Sequence, residues 1–366
     1  MKRKPYPNEI IIPLKGADRV RKRPAVIFGD EGLDGCEHAF YGLFENAVDE
    51  AKDGFADTVT ITVTDDGTIE IGDNGRGVPM GWNEDEQEYN WRLIFGELFV
   101  GGKFGGDPLG GLDACAAQYA SDFTEVYSYD GEHESYMHFT KGNADTDLRV
   151  TSLEFSRRGT LIRWKPDPGV FTETHIPKDY FETVMRDAAI LTPGLRLTLN
   201  YCGDVTEYCY NGGIAERLCE IAGDSRKTEP YVWSFGGTGR DREESPEYSY
   251  SCEIALCAAE SGHEKYYHND KPMPFGGASR DAVRSAITRC AEKYLPDCHI
   301  DTDSIFSRIM VICSTGSGRT HYTNGTRMAI ANPFIGSHMA EQITEIIARE
   351  MAEDPHRAKA FFESLI

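Results

Sequence analysis

The sequence predicts a mixed α/β (α+β) protein of two domains, and three observations predict it. The chain has 366 residues, more than one hydrophobic core usually supports. Residues 36–53 place Phe40, Leu43, Phe44 and Val48 at helical spacing, and the residues after them alternate β-branched and polar side chains in two runs, so the period switches from helix to hairpin. A second cycle of helix and strand signals opens at Tyr210-Asn211-Gly212-Gly213. The boundary is therefore set near residue 210, giving domains over 1–210 and 211–366.

Taken in order, the helix over 36–53 is half-buried and carries Asn46, Asp49 and Glu50 on its polar turns. The hairpin turns at Asp65-Asp66-Gly67, and its second strand delivers Asp73 into the glycine-rich turn Asp73-Asn74-Gly75-Arg76-Gly77. A helix is expected over 82–99, then a glycine-rich loop over 101–113, a short Ala-rich segment over 114–120, strands within 152–166 and a surface turn at 166–169. The second domain is read as a helix over 214–221, a strand over 248–259, a turn at His268-Asn269-Asp270 and a helix over 279–295. A strand over 308–315, a polar loop and a helix over 336–351 follow. Asp354-Pro355 has the form of an N-cap and first helical residue, so a last helix starts there.

Composition narrows the function classes. Hydrophobic residues make up 40% and charged residues 27%, a balance that folds. The net charge of −22 repels phosphate polymers at long range, so any DNA contact must be local. Arg19, Arg21, Lys22 and Arg23 form one basic group, and Arg280, Arg284 and Arg289 another; solvated surface is the simpler reading of both. No apolar stretch reaches the roughly 18 residues of a membrane helix, and the N-terminus lacks a signal-peptide core. A soluble, cytoplasmic protein with no membrane contact is expected. Ten cysteines without a CxxC pair point to reduced thiols rather than structural zinc.

Two features could carry chemistry. On the helix, the Asn46 amide oxygen can ligate a hard Mg²⁺ and a nearby carboxylate can hold a water or an Arg, although such residues on a helix are usually its wet side. The turn after Asp73 lets a ligand approach the backbone closely, and Asp73 can accept a hydrogen bond from an exocyclic amine; an ordinary Asx turn has the same sequence.

Order and spacing separate these alternatives. The helix with Asn46, the turn DNGRG, the glycine-rich loop with Lys103, and Gly159-Thr160 entering a strand follow one another, and this arrangement resembles the GHKL nucleotide-binding fold. The segments KGADRVRKRPAVIFG, ENAVDEA, DNGRGVP, GELFVGGKF, RGTLIRWKPD and YNGGI look like the B subunits of type IIA DNA topoisomerases, DNA gyrase B and topoisomerase IV B. The resemblance is specific over 15–165 and weaker but collinear over 205–366; RVRKRPAVIFG and VGGKF set it apart from the other GHKL branches.

That resemblance implies a Bergerat-type ATPase sandwich with an N-terminal dimerisation arm, followed by a ribosomal-protein-like βαβ transducer domain. It implies ATP and Mg²⁺ as cofactors, with Asn46 as the metal ligand, Asp73 reading adenine and Thr160 its partner through a shared water. Glu50 and Arg76 match the pair that closes over the base, Gly75 and Gly77 the turn glycines, and Pro79 the residue flanking the base. Gly101, Gly102 and Lys103 match the start of the ATP lid. The implied partners are a second copy of the chain, a cleavage subunit and DNA. No segment resembles the family's metal-binding cleavage module, and the strand-cutting Tyr belongs to a separate subunit.

The departures are as informative. Where the family carries a Glu that polarises the attacking water, this chain has Gly42, so no catalytic residue is assigned. Glu45 is three residues further along the helix and points elsewhere. Loss of a positioned base costs about 10²- to 10⁴-fold, so hydrolysis is expected to be slow. The phosphate loop is shortened and places Asp113 where a glycine N–H is usual. A carboxylate about 4 Å from a phosphate charge costs about 1–4 kcal/mol. Gly325, Thr326 and Arg327 are collinear with a Gln-Thr-Lys run that meets the terminal phosphate, and Arg327 can keep that contact. Tyr129 stands where an Arg is common, and no role follows from it. Two readings come out of this: an ATP-operated dimerisation gate with weakened turnover, and a non-hydrolysing nucleotide-binding regulator or decoy of a topoisomerase.

Overall fold

The computed structural model describes residues 14–98, 114–323 and 328–366. They form two compact units, one running to Arg186 and taking in Leu195–Tyr208, the other comprising Asp187–Gly194 and Cys209–Ile366.

In the first unit, short helices α1 (Asp18–Arg21) and α2 (Pro24–Phe28) lead into α3 (Leu33–Lys52). The apolar stripe Ala39, Phe40, Leu43, Phe44, Ala47 and Val48 is buried, and Phe40 meets the Phe181 ring edge-on at 4.7 Å. β1 (Thr58–Val63) and β2 (Ile69–Asp73) follow as the expected antiparallel hairpin, in which Val59 faces Asp73. Its turn is held by Asp66, whose Oδ1 accepts from Thr64 Oγ1 at 2.6 Å and Thr68 N at 3.2 Å.

The helix expected over 82–99 is mostly absent. β3 (Trp82–Asn83) and β4 (Glu88–Tyr89) make a small hairpin, and α4 covers only Asn90–Gly96. Residues 83–88 have no apolar member to form a buried stripe, and Asn83 Oδ1 instead accepts from the amides of Asp85 (3.0 Å) and Glu86 (3.2 Å). A side chain that competes for backbone amides favours a turn.

The rest of the unit is α5 (Ala114–Tyr119), β5 (Ser121–Asp130), β6 (His133–Thr140), β7 (Asn143–Ala144), β8 (Arg149–Ser152), β9 (Arg158–Pro166), α6 (Lys178–Leu191), β10 (Arg196–Tyr201) and β11 (Asp204–Tyr208). The strands run β11-β10-β1-β2-β9-β5-β6-β7, with β8 also on β6. Only β1 and β10 are parallel among these pairs. β9 is thereby the neighbour of the strand that ends in Asp73, and β5 lies next beyond β9.

The second unit holds α7 (Gly213–Ala222), β12 (Tyr231–Gly239), β13 (Tyr248–Ala258), β14 (His263–His268), β15 (Lys271–Pro272), α8 (Ala278–Tyr294), α9 (Thr302–Phe306), β16 (Ile309–Ser317), α10 (Pro333–Glu353) and α11 (Pro355–Glu363). Its sheet is ordered β12-β13-β16-β14-β15. β14 and β16 are parallel and are joined through α8, a βαβ connection. Gly237 and Gly239 lie where α10 meets β12: a Cβ would come 2.6 Å from the His338 ring and 2.3 Å from that of Phe334. Asp354 caps α11 by accepting from Arg357 N at 3.0 Å, as its sequence suggested.

Two basic groups read as surface are partly internal. Arg21 donates to the carbonyls of Tyr119 (3.0 Å) and Ser121 (3.1 Å) and pairs with the buried Asp167. Arg284 bridges Glu264 (2.6 Å) and Asp303. All ten cysteines are free thiols, and burial pushes Cys36 up to about 12 and Cys257 to about 11, which suppresses thiolate chemistry. No helix among the described residues is long and apolar enough to cross a membrane.

Burial raises the Asp167 pKa, but the hydrogen bond from Arg21 and that from the Gly169 amide outweigh it and hold the carboxyl below its usual range. A depressed carboxylate pKa adds stability above about pH 4 that is lost as pH falls through the folded-state value. Removing the guanidinium takes away the strongest of these lowering contacts and leaves burial opposed by the Gly169 amide and the Lys141 charge. Arg21→Met should therefore cost about 3 kcal/mol at pH 7, with the deficit shrinking as Asp167 protonates below pH 4. Urea titrations at both pH values check this; an equal deficit at both would remove the ion pair from the account.

Candidate nucleotide-binding site

The site is assembled at the end of β2. Asp73 Oδ1 accepts from Gly75 N at 2.8 Å and from Thr160 N at 3.3 Å, so two main-chain amides orient the carboxylate. Thr160 comes this close because Gly159, at φ +118°, has no side chain: a Cβ would sit 1.9 Å from the Asp73 carbonyl oxygen. The turn is also pinned from behind. Asn74 Oδ1 accepts from the amides of Asp57 (3.0 Å) and Thr58 (3.1 Å), and its Nδ2 donates to Asp57 Oδ1 at 2.7 Å.

Glu50 reaches the same turn from α3. Its carboxylate accepts from Arg76 N (3.1 Å), Nε (3.1 Å) and Nη2 (2.9 Å). The Arg76 guanidinium also pairs with Asp53 at 3.2 Å and lies 3.6 Å over the Phe55 ring. Glu50, through its hydrogen bond foremost, and Asp53 raise the Arg76 pKa against the opposing effect of burial and hold an already permanent cation in one place. Gly75 lies between the two carboxylates: a Cβ there would meet Glu50 Oε2 at 2.8 Å and Asp73 Oδ1 at 2.9 Å. Gly77, at φ +83°, lets the turn approach β5, where a Cβ would meet the Tyr129 carbonyl at 2.6 Å and Ser128 Oγ at 2.8 Å. Pro79 is exposed.

Asn46 is exposed on α3, one turn before Glu50, and its Nδ2 donates to the Gly42 carbonyl at 3.0 Å. That bond commits the amide nitrogen and leaves Oδ1, the harder donor, as the atom for a cation. Gly42 is buried, and its carbonyl, already an acceptor for Asn46, offers no base. Asp73, Glu50, Arg76, Gly75, Gly77 and Thr160 are thus brought together around one turn. Tyr129 is buried under the Arg157 guanidinium, 3.9 Å from its ring centre. Gly101, Gly102, Lys103, Asp113, Arg327 and residues 1–13 at the N-terminus lie outside the described residues.

The reading of residues alone missed several groups. Ser128, Asn74, Asp53 and Phe55 all touch the turn, and only Asn74 was within a recognised motif; the others come close through strand register or from the end of α3. In the second unit, the residues that follow β16 are held by two side chains. His268 contacts Thr320 Oγ1 at 2.8 Å, and Asn332 Oδ1 accepts from His321 N at 2.8 Å.

No protein-family model matches the chain. The DNA gyrase B subunit of Thermotoga maritima is 30% identical to it over 299 residues, covering 79% of this chain and 47% of that protein. The chain is a type IIA topoisomerase B-subunit ATPase-like region. The DNA gyrase B subunit of Thermus thermophilus is 26% identical over 385 residues, 99% of this chain and 59% of that protein. This topoisomerase-like region therefore spans about half the length of the curated relatives it matches. Among solved structures, the 43K ATPase domain of Thermus thermophilus gyrase B, in complex with an aminocoumarin, matches with a TM-score of 0.78 at 23% identity, over 96% of this chain and 94% of that one. The topoisomerase IV ATP-binding domain of Francisella tularensis matches with a TM-score of 0.73 at 20% identity, over 96% of each chain. These likenesses show the GHKL fold.

Gly77→Ala should destabilise the first unit by about 1–3 kcal/mol, since an L residue is strained at its φ and the clash is with backbone. Thermal unfolding of the purified chain measures this; an unchanged midpoint would mean the turn does not press on β5.

Proposed function

We propose that this chain is the ATP-binding and dimerisation gate module of a gyrase-like topoisomerase B subunit, with hydrolysis weakened at Gly42. The observation that carries the reading is the Asp73 carboxylate, oriented by Gly75 and Thr160 at a strand end and set beside α3 with Asn46 and Glu50. An oriented carboxylate discriminates by accepting from an amine, whereas a keto oxygen in its place is itself an acceptor and has no proton to give. Bound Mg²⁺ would offset phosphate charge, and Asn46 Oδ1 is the atom of this chain suited to hold it. In the gate reading, 1–210 is the ATPase domain and 211–366 the transducer. An N-terminal arm dimerises two copies, Gly101, Gly102, Lys103 and Arg327 approach the phosphates, and DNA and a cleavage subunit are partners of the complete enzyme. The compartment of such an enzyme is the cytoplasm.

Gly42 also favours the second reading, a nucleotide-binding regulator or decoy that does not turn over. Position 42 supplies only a main-chain carbonyl already engaged by Asn46, and no proton acceptor stands there. Calorimetry separates the readings: marked preference for a nonhydrolysable ATP analogue over ADP is expected of a gate, and equal affinity of a decoy.

Asp73→Asn should weaken ADP binding about 10- to 100-fold, the loss of a charge-assisted hydrogen bond. Binding unchanged by that substitution would refute the nucleotide reading. Gly42→Glu should raise phosphate release by about 10²- to 10⁴-fold; a rate no higher than that of the wild-type chain would show that the missing base is not what limits turnover.

A further inference from the structure

We infer that Ser128 is a positioning residue of the nucleobase seat and sets its preference for adenine; this rests on the nucleotide reading of the site. Ser128 is buried on β5, directly opposite Thr160 on β9. Its hydroxyl donates to the Val78 carbonyl at 2.7 Å, while the Thr160 hydroxyl accepts from the Val78 N–H at 3.1 Å. Val78 is thus held at both its main-chain polar groups by two side chains that face each other across one strand pair.

The consequence runs to Asp73. Thr160 uses its own amide on Asp73 Oδ1 and its hydroxyl on Val78 N, so the carboxylate and the turn after Gly77 are tied to a single residue. Ser128 supplies the second anchor of that turn, and without it Val78 is held on one side only. The backbone leading to Pro79 then gains freedom to rotate, and with it the edge of the seat that bounds a planar base. Ser128 sits against Gly77, where any Cβ would come 2.8 Å from its Oγ, so the hydroxyl and the absent side chain form one fitted contact. Because the Ser128 hydroxyl is spent on the Val78 carbonyl, its effect belongs to orientation.

The test measures ADP and GDP affinities by calorimetry for the wild-type chain, Ser128→Ala and the hydroxyl-retaining Ser128→Thr, with ligand-free thermal unfolding of each as the folding control. Ser128→Ala should lose about 3- to 10-fold in ADP affinity, the worth of one neutral hydrogen bond, and the ADP-to-GDP ratio should fall with it. Ser128→Thr should restore the ratio. A merely structural role would lower the unfolding temperature and leave the ratio of the folded protein unchanged, which would overturn the inference. If the wild-type chain binds ADP and Ser128→Ala matches it in affinity and preference, the inference alone falls. If the wild-type chain binds no adenine nucleotide, the inference and the nucleotide reading fall together.

Discussion

The close approach of β9 to the end of β2 is the constraint on which the site depends. Gly159 permits it, since any side chain there would occupy the space of the Asp73 carbonyl. Only at that separation can the Thr160 amide reach the Asp73 carboxylate and the Thr160 hydroxyl reach Val78. The order β2-β9-β5 then brings Ser128 to the same turn. A carboxylate held by amides and a turn held by hydroxyls are preorganised, so a ligand meets a formed surface and little ordering remains to be done on binding.

Around that contact the helix α3 does two jobs on two faces. Its apolar face buries Phe40, Leu43 and Phe44 and fixes the helix against the sheet. Its polar face then has no freedom in where it presents Asn46 and Glu50. Glu50 is nearly buried and would be costly as a lone charge; Arg76 compensates it with three hydrogen bonds, and Asp53 and Phe55 hold the guanidinium in turn. Breaking one partner of such a pair leaves the other uncompensated. Gly42 lies on the buried side of the same helix and gives Asn46 its carbonyl as an acceptor.

Much of this was legible from residue order. The period of 3.6 followed by the period of 2 located α3 and the β1–β2 hairpin, and the glycines of the turn marked where backbone must come close. The parts that were not legible depend on strand pairing. Ser128 carries no motif, and its place opposite Thr160 follows from the register of β5 on β9, which local sequence does not encode. Residues 82–89 were misread because a polar, acidic segment was continued into the apolar helix after it, while the side chain of Asn83 had already closed a turn. Arg21 and Arg284 were misread as surface because burial of a guanidinium is decided by a carboxylate far along the chain.

The central claim is that Asp73 reads the amino edge of adenine beside α3, and a crystal structure of the chain grown with ADP and Mg²⁺ tests it most directly. The account requires the adenine N6 within hydrogen-bonding distance of an Asp73 carboxylate oxygen and the metal on Asn46 Oδ1. A nucleotide seated elsewhere, or a well-ordered Asp73 turn that stays empty at saturating ADP, would contradict it.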